Sequence, residues 1–78
     1  NSIDVTIYPN PAKDFIKISA VSCQPSVVRI FNYLGMLVNE TELDSDEIEI
    51  NLSEHNPGIY FINIESVNGT IVKKIVKY

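Results

Sequence analysis

Few side chains here are of the types from which reaction chemistry is built. His55 is the sole imidazole. It stands between Glu54 and Asn56 in a polar stretch, and no Gly-x-Ser-x-Gly elbow accompanies it. Nucleophilic catalysis needs a nucleophile, a base and an orienting group held together, so His55 reads as an exposed loop residue. Cys23 is the one thiol and has no basic neighbour to lower its pKa. A single Cys excludes an internal disulfide and a multi-cysteine zinc site. Seven of the ten acids, Glu40, Glu42, Asp44, Asp46, Glu47, Glu49 and Glu54, crowd positions 40–54. Asp44-Ser45-Asp46 starts like a calcium loop, but Glu49 stands where an EF-hand demands Gly. The run reads instead as a solvated strand face whose charges deter edge-to-edge pairing. No catalytic residue, metal or cofactor is expected.

Two clusters suit recognition better than reaction. Lys73, Lys74 and Lys77 are three of the six basic residues. On a strand Lys73 and Lys77 share one face and Lys74 takes the other. Such lysines guard an edge strand or form a terminal basic tag for a partner. Phe15, Phe31, Tyr33 and Phe61 are expected to point away from the inner face. They could stack on a sugar or cover a small apolar cluster, though the chain has no Trp to supply a broad flat platform.

The elements that must carry these residues are strands. Ile16, Ile18 and Ala20 alternate with Lys17 and Ser19, and Glu47-Ile48-Glu49-Ile50 is period two with acid out and aliphatic in. Ile3 to Tyr8, Val27 to Phe31 and Ile59 to Ile64 follow the same rule, whereas Thr70 to Tyr78 is β-branched with mixed faces. Pro9-Asn10-Pro11 ends the first strand, because two prolines remove two ladder donors and fix φ. Leu34-Gly35, Asp44-Ser45-Asp46, Asn56-Pro57-Gly58 and Asn68-Gly69 mark turns, the last as the centre of a type I′ hairpin between Val67 and Thr70. The result is about seven short strands at roughly ten-residue spacing, the signature of an all-β antiparallel sandwich.

With 78 residues, 45% of them hydrophobic, the chain is one domain, 1–78. Such a domain buries only about 60% of the surface its unfolded chain exposes, so nearly every strand must feed one thin core. Six basic and ten acidic residues leave a net charge of −4, which offers no general attraction to nucleic acid or anionic lipid. No apolar run approaches the ~20 residues that a lipid-spanning helix needs. The chain opens at Asn1 without Met or a signal-peptide pattern and reads as a piece of a longer polypeptide.

Four segments, in order, resemble the C-terminal sorting domain of the type IX (Por) secretion system of Bacteroidota. Ile7-Tyr8-Pro9-Asn10-Pro11-Ala12-Lys13-Asp14 precedes the alternating Phe15 to Ile18. Val28 to Val38 contains Phe31-Asn32-Tyr33-Leu34-Gly35, similar to the family's aromatic-Asn then Leu-Gly hairpin. Ile50-Asn51-Leu52-Ser53 leads to Pro57-Gly58-Ile59-Tyr60, similar to its Gly-x-Tyr strand, and Lys74-Ile75-Val76-Lys77 resembles its terminal Lys-x-x-Lys. Met36, where Gln or Lys is usual, and the trailing Tyr78 are minor departures.

The resemblance implies an immunoglobulin-like sandwich of about seven strands that is no enzyme but an export address. The outer-membrane translocon would recognise it, a sortase-like peptidase would remove it, and the cargo would be released or surface-attached. Tyr8, Pro9, Asn10, Pro11, Gly35, Gly58 and Tyr60 would then mainly determine the fold. Lys74 and Lys77, as exposed charges on the terminal strand, and Tyr78 would meet the translocon. An exposed edge could take up a translocon strand or support a weak dimer. A structural, adhesive or carbohydrate-binding module of a secreted protein is the alternative.

Overall fold

The computed structural model describes residues 4–21, 26–67 and 69–78. Seven strands follow one another: β1 (Asp4–Tyr8), β2 (Phe15–Val21), β3 (Ser26–Asn32), β4 (Leu37–Leu43), β5 (Glu47–Asn51), β6 (Gly58–Ser66) and β7 (Gly69–Lys77). They form a three-stranded sheet, β1-β2-β5, and a four-stranded sheet, β4-β3-β6-β7. Every strand pair is antiparallel. Cys23 and Asn68 lie outside the described residues.

Alternation decides what each sheet turns inward. Ile16, Ile18 and Ala20 of β2 face Val28 and Ile30 of β3 and Ile62 and Ile64 of β6, all within one buried cluster. The register sets Ile30 beside Ile62 and Val28 beside Ile64. Burying an aliphatic side chain of this size stabilises the fold by about 1.5–3 kcal/mol, and no strand lacks such a contributor. β7 sends Ile71 and Ile75 inward and Val72 and Val76 outward. Its mixed sequence reflects apolar residues on both faces.

The β3–β4 hairpin is built by one side chain. Asn32 Oδ1 accepts hydrogen bonds from the Leu34 and Met36 N–H groups, at 2.9 and 3.0 Å. The Asn32 N–H donates to the Met36 carbonyl, at 2.9 Å. Gly35 closes this turn at φ +85°, left-handed space that costs an L-residue about 1–2 kcal/mol. Gly35→Ala is therefore expected to lower unfolding free energy by about 1 kcal/mol, read from the urea midpoint. The penalty is conformational, since a Cβ there meets nothing within 4 Å.

The β6–β7 hairpin departs from expectation. Ser66 pairs with Gly69, and Gly69 is already the first residue of β7 at φ +134°. The closing pair thus lies one residue earlier than the anticipated Val67 and Thr70 flanks.

Candidate functional site

The described residues bring three of the four sequence segments singled out above onto one strand. β7 is hydrogen-bonded along one side to β6, with Gly58 opposite Lys77 and Tyr60 opposite Ile75. Its other side would be a bare edge, but the segment after β1 crosses to it. The Ala12 N–H donates to the Val76 carbonyl at 2.7 Å, and the Tyr78 N–H donates to the Ala12 carbonyl at 2.9 Å. Ala12 and Lys77 form a parallel bridge.

Asn10 extends this contact with its side chain. Its Nδ2 donates to the Lys74 carbonyl at 3.3 Å, and its Oδ1 accepts from the Val76 N–H at 3.1 Å. Pro9 and Pro11 have no N–H to give. The carboxamide of Asn10, through one of its N–H donors and its acceptor oxygen, stands in for the missing backbone groups. Both flanking peptide bonds, Tyr8–Pro9 and Asn10–Pro11, are cis. The base of the segment is tied to the opposite sheet, where the Tyr8 hydroxyl donates to the Glu47 carboxylate on β5. That hydrogen bond, with burial and the carboxylate charge adding to it, pushes the Tyr8 hydroxyl pKa above its usual value.

The terminal residues divide by parity. Lys74 is exposed on the outer face and Tyr78 is 65% exposed. Lys77 corrects the expectation of an exposed charge: it points to the inner face and is only 7% exposed. The reason is register. Lys77 follows Ile75 by two positions on a strand whose odd residues face the core. Its aliphatic stem covers the end of the core, a common use of long cationic side chains. It serves the fold.

Tyr60 and Gly58 hold the inner flank. The Tyr60 ring is buried and its hydroxyl donates to the Asn56 carbonyl at 2.5 Å, pinning the β5–β6 loop. Gly58 takes φ +148°, while a Cβ there would meet nothing within 4 Å. Its need is thus for backbone conformation and not for close approach. His55 lies in the same loop, with its ring centroid 6.1 Å from that of Tyr60.

The outward face of the four-stranded sheet is strongly apolar around β7. Leu37, Phe31, Phe61 and Lys74 stand in one cross-strand row, and Ile59 pairs with Val76 beside it. Phe61 and Phe31 are neighbours, but Phe15 lies on the other sheet, on β2. The four aromatics anticipated as one platform are therefore dispersed: Phe31 and Phe61 on one sheet, Phe15 on the other and Tyr33 in the β3–β4 turn. Toward β4, Arg29 pairs with Glu40 at 2.7 Å and Glu65 at 2.9 Å. Its hydrogen bonds to Glu65 and then Glu40 raise the guanidinium pKa further. Solvent-exposed pairs of this kind add little to stability, because water and salt screen them. Lys73 and Lys74 make no ion pair among the described residues.

Sequence reasoning missed the hydrogen bonds of Asn10 and Ala12. The only signal was an amide residue between two prolines, a place where backbone donors run out.

The model of a family described as "Secretion system C-terminal sorting domain" matches residues 6–78. Among curated proteins, Ulvan lyase NLR42 of Nonlabens ulvanivorans is 39% identical over 61 residues, 77% of this chain and 11% of that protein. An endo-acting ulvan lyase of Formosa agariphila is 33% identical over 66 residues, 83% of this chain and 13% of that protein. The chain thus spans little more than a tenth of the length of these relatives. A solved DUF3244 family protein from Bacteroides vulgatus, described as an immunoglobulin-like β-sandwich, superposes with a TM-score of 0.79. It is 16% identical, and the match covers 99% of this chain and 95% of that one. The fold is that immunoglobulin-like sandwich.

Proposed function

This chain belongs to the secretion system C-terminal sorting domain family, and from that premise we propose that its clasped terminal strand is the surface read by the outer-membrane translocon. The coarse function follows from the family itself. The chain is a type IX sorting signal, a non-catalytic module that directs export to the cell surface or the medium. The finer reading assigns recognition to Lys74 and Tyr78, both exposed at the end of β7. Lys77 supports them from below. The single observation that carries this reading is the clasp: Asn10 and Ala12 hold one side of β7 while Gly58 and Tyr60 lie opposite its other side. Family-typical residues far apart in sequence thus converge on the strand whose shape is to be read. A translocon that accepts many cargoes gains more from a rigid backbone than from a flexible charged tail, because preorganisation lowers the entropy cost of binding.

In this reading the upstream cargo follows the translocon's recognition of the domain. A sortase-like peptidase then cuts on the N-terminal side of the sandwich, and surface attachment is one fate of the cargo. Both curated relatives are ulvan lyases, and a secreted carbohydrate-active enzyme is the corresponding proposal for the cargo here.

The test fuses a signal peptide, a reporter and residues 1–78 in a type IX-competent bacterium. Deleting 74–78 would be a poor probe, since it also removes Ile75 and Lys77 from the interior. Lys74→Ala combined with Tyr78→Ala leaves the core intact. The double variant is expected to accumulate in the periplasm, with extracellular reporter reduced about tenfold, the equivalent of ~1.4 kcal/mol of recognition. Undiminished export of that variant would refute the assignment of these two side chains.

A further inference from the structure

Asn10 and Ala12 close only the C-terminal half of the β7 edge. Even-numbered residues of β7 turn their backbone groups away from β6: the Lys74 carbonyl, both Val76 groups and the Tyr78 N–H are taken by the clasp. By the same parity the N–H and C=O of Thr70 and Val72, and the N–H of Lys74, face outward. Among the described residues none of these has a hydrogen-bond partner, and β6 is the only strand alongside. Val72 itself is 59% exposed. The edge is competent to add backbone, because the Asn10–Ala12 segment already does so one step further along.

Charge restricts what can be added. Lys73 and Lys74 project to opposite faces of this five-residue stretch, and both are exposed. The rest of the chain is acidic enough to leave a net charge of −4. A second copy paired here would crowd four ammonium groups around one short ladder, which disfavours self-pairing. Glu65, the acid opposite Thr70, is engaged by Arg29. An incoming strand with carboxylates would meet two unpaired cations and a row of unused donors and acceptors. The lysines that discourage indiscriminate pairing therefore select one kind of partner.

We propose that Thr70–Lys74 is a docking edge for an extended, carboxylate-bearing segment of the export machinery, which adds beside β7 as a fifth strand and stops at Asn10. This rests on the sorting-signal reading and specifies how the partner is gripped: backbone hydrogen bonds give the attachment, and Lys73 and Lys74 give the preference.

Val72→Pro tests it, with Val72→Ala as its control, in the reporter fusion. Proline at 72 removes only an outward N–H and leaves the β6 ladder whole, as edge strands allow. Alanine trims the side chain and keeps the N–H. Export of the proline variant is expected to fall about tenfold below that of the alanine variant, each melting as a single folded species. Equal export of the two would overturn the proposal, as would an equal fall in both, which would make the side chain the feature read. If the proline variant does not fold, the double variant Lys73→Glu, Lys74→Glu decides. A loss of about tenfold with the melting temperature kept supports an acidic partner, and unchanged export excludes it. Failure of the unmodified fusion to leave the cell would sink the sorting reading itself, and the docking edge with it.

Discussion

Ile62→Ala is expected to remove about 3–4 kcal/mol of folding stability, read as a drop in the urea midpoint at constant slope. Ile62 is fully buried at the centre of β6, paired with Ile30 on β3 and facing the β2 isoleucines across the sandwich. Truncation removes three carbons from the interior of a core with no disulfide behind it. For 78 residues, total stability is about 4–12 kcal/mol by the usual per-residue range. The variant therefore falls near the unfolding threshold. Export of a reporter fusion should fall with it, since the proposed signal is a folded surface. The adjacent Phe61 is a useful contrast. It lies on the outward face and is 37% exposed, so truncation there opens no internal cavity. A stable Ile62→Ala protein, within about 1 kcal/mol of the parent, would mean that the two sheets do not pack as described.

Asn10→Ala should cost less, about 2 kcal/mol, but act on a single strand. It deletes both hydrogen bonds from the Asn10 carboxamide to the Lys74 carbonyl and the Val76 N–H. Each is worth about 1 kcal/mol net. Amide hydrogen exchange localises the effect: the Val76 and Tyr78 N–H groups, bonded to Asn10 and Ala12, should exchange faster. The buried ladder between β3 and β6 should keep its protection. Asn10→Asp separates the two contacts. A carboxylate still accepts from Val76 but presents an acceptor to the Lys74 carbonyl, so it should fall between the parent and the alanine variant. Unchanged exchange at Val76 in Asn10→Ala would show that the clasp does not hold in solution.

Much of this architecture could be read before folding was considered. Val28, Ile30, Ile62 and Ile64 sit at period two, and all four are buried. Gly35 after Leu34 marked a turn and closes one at positive φ. Tyr60 shares the period-two face of Ile62 and Ile64, and its ring is buried with them. The Asn68-Gly69 hairpin was placed a residue late, because Asn-Gly signals positive φ but does not say whether the Gly ends the turn or starts the strand.

Local order along the chain thus specified the strands, their two faces and most of their ends, since alternation and turn chemistry act between residues a few positions apart. It could not specify the fate of Lys77 or Asn10. The burial of Lys77 depends on which side of β7 the opposite sheet covers. Asn10 acquires its role from partners 64 and 66 residues away. Contacts at that separation leave no periodic trace in a sequence. They exist only once two sheets have packed and brought a proline-bounded amide against an open strand edge, and that meeting settles which part of the edge stays free for a partner.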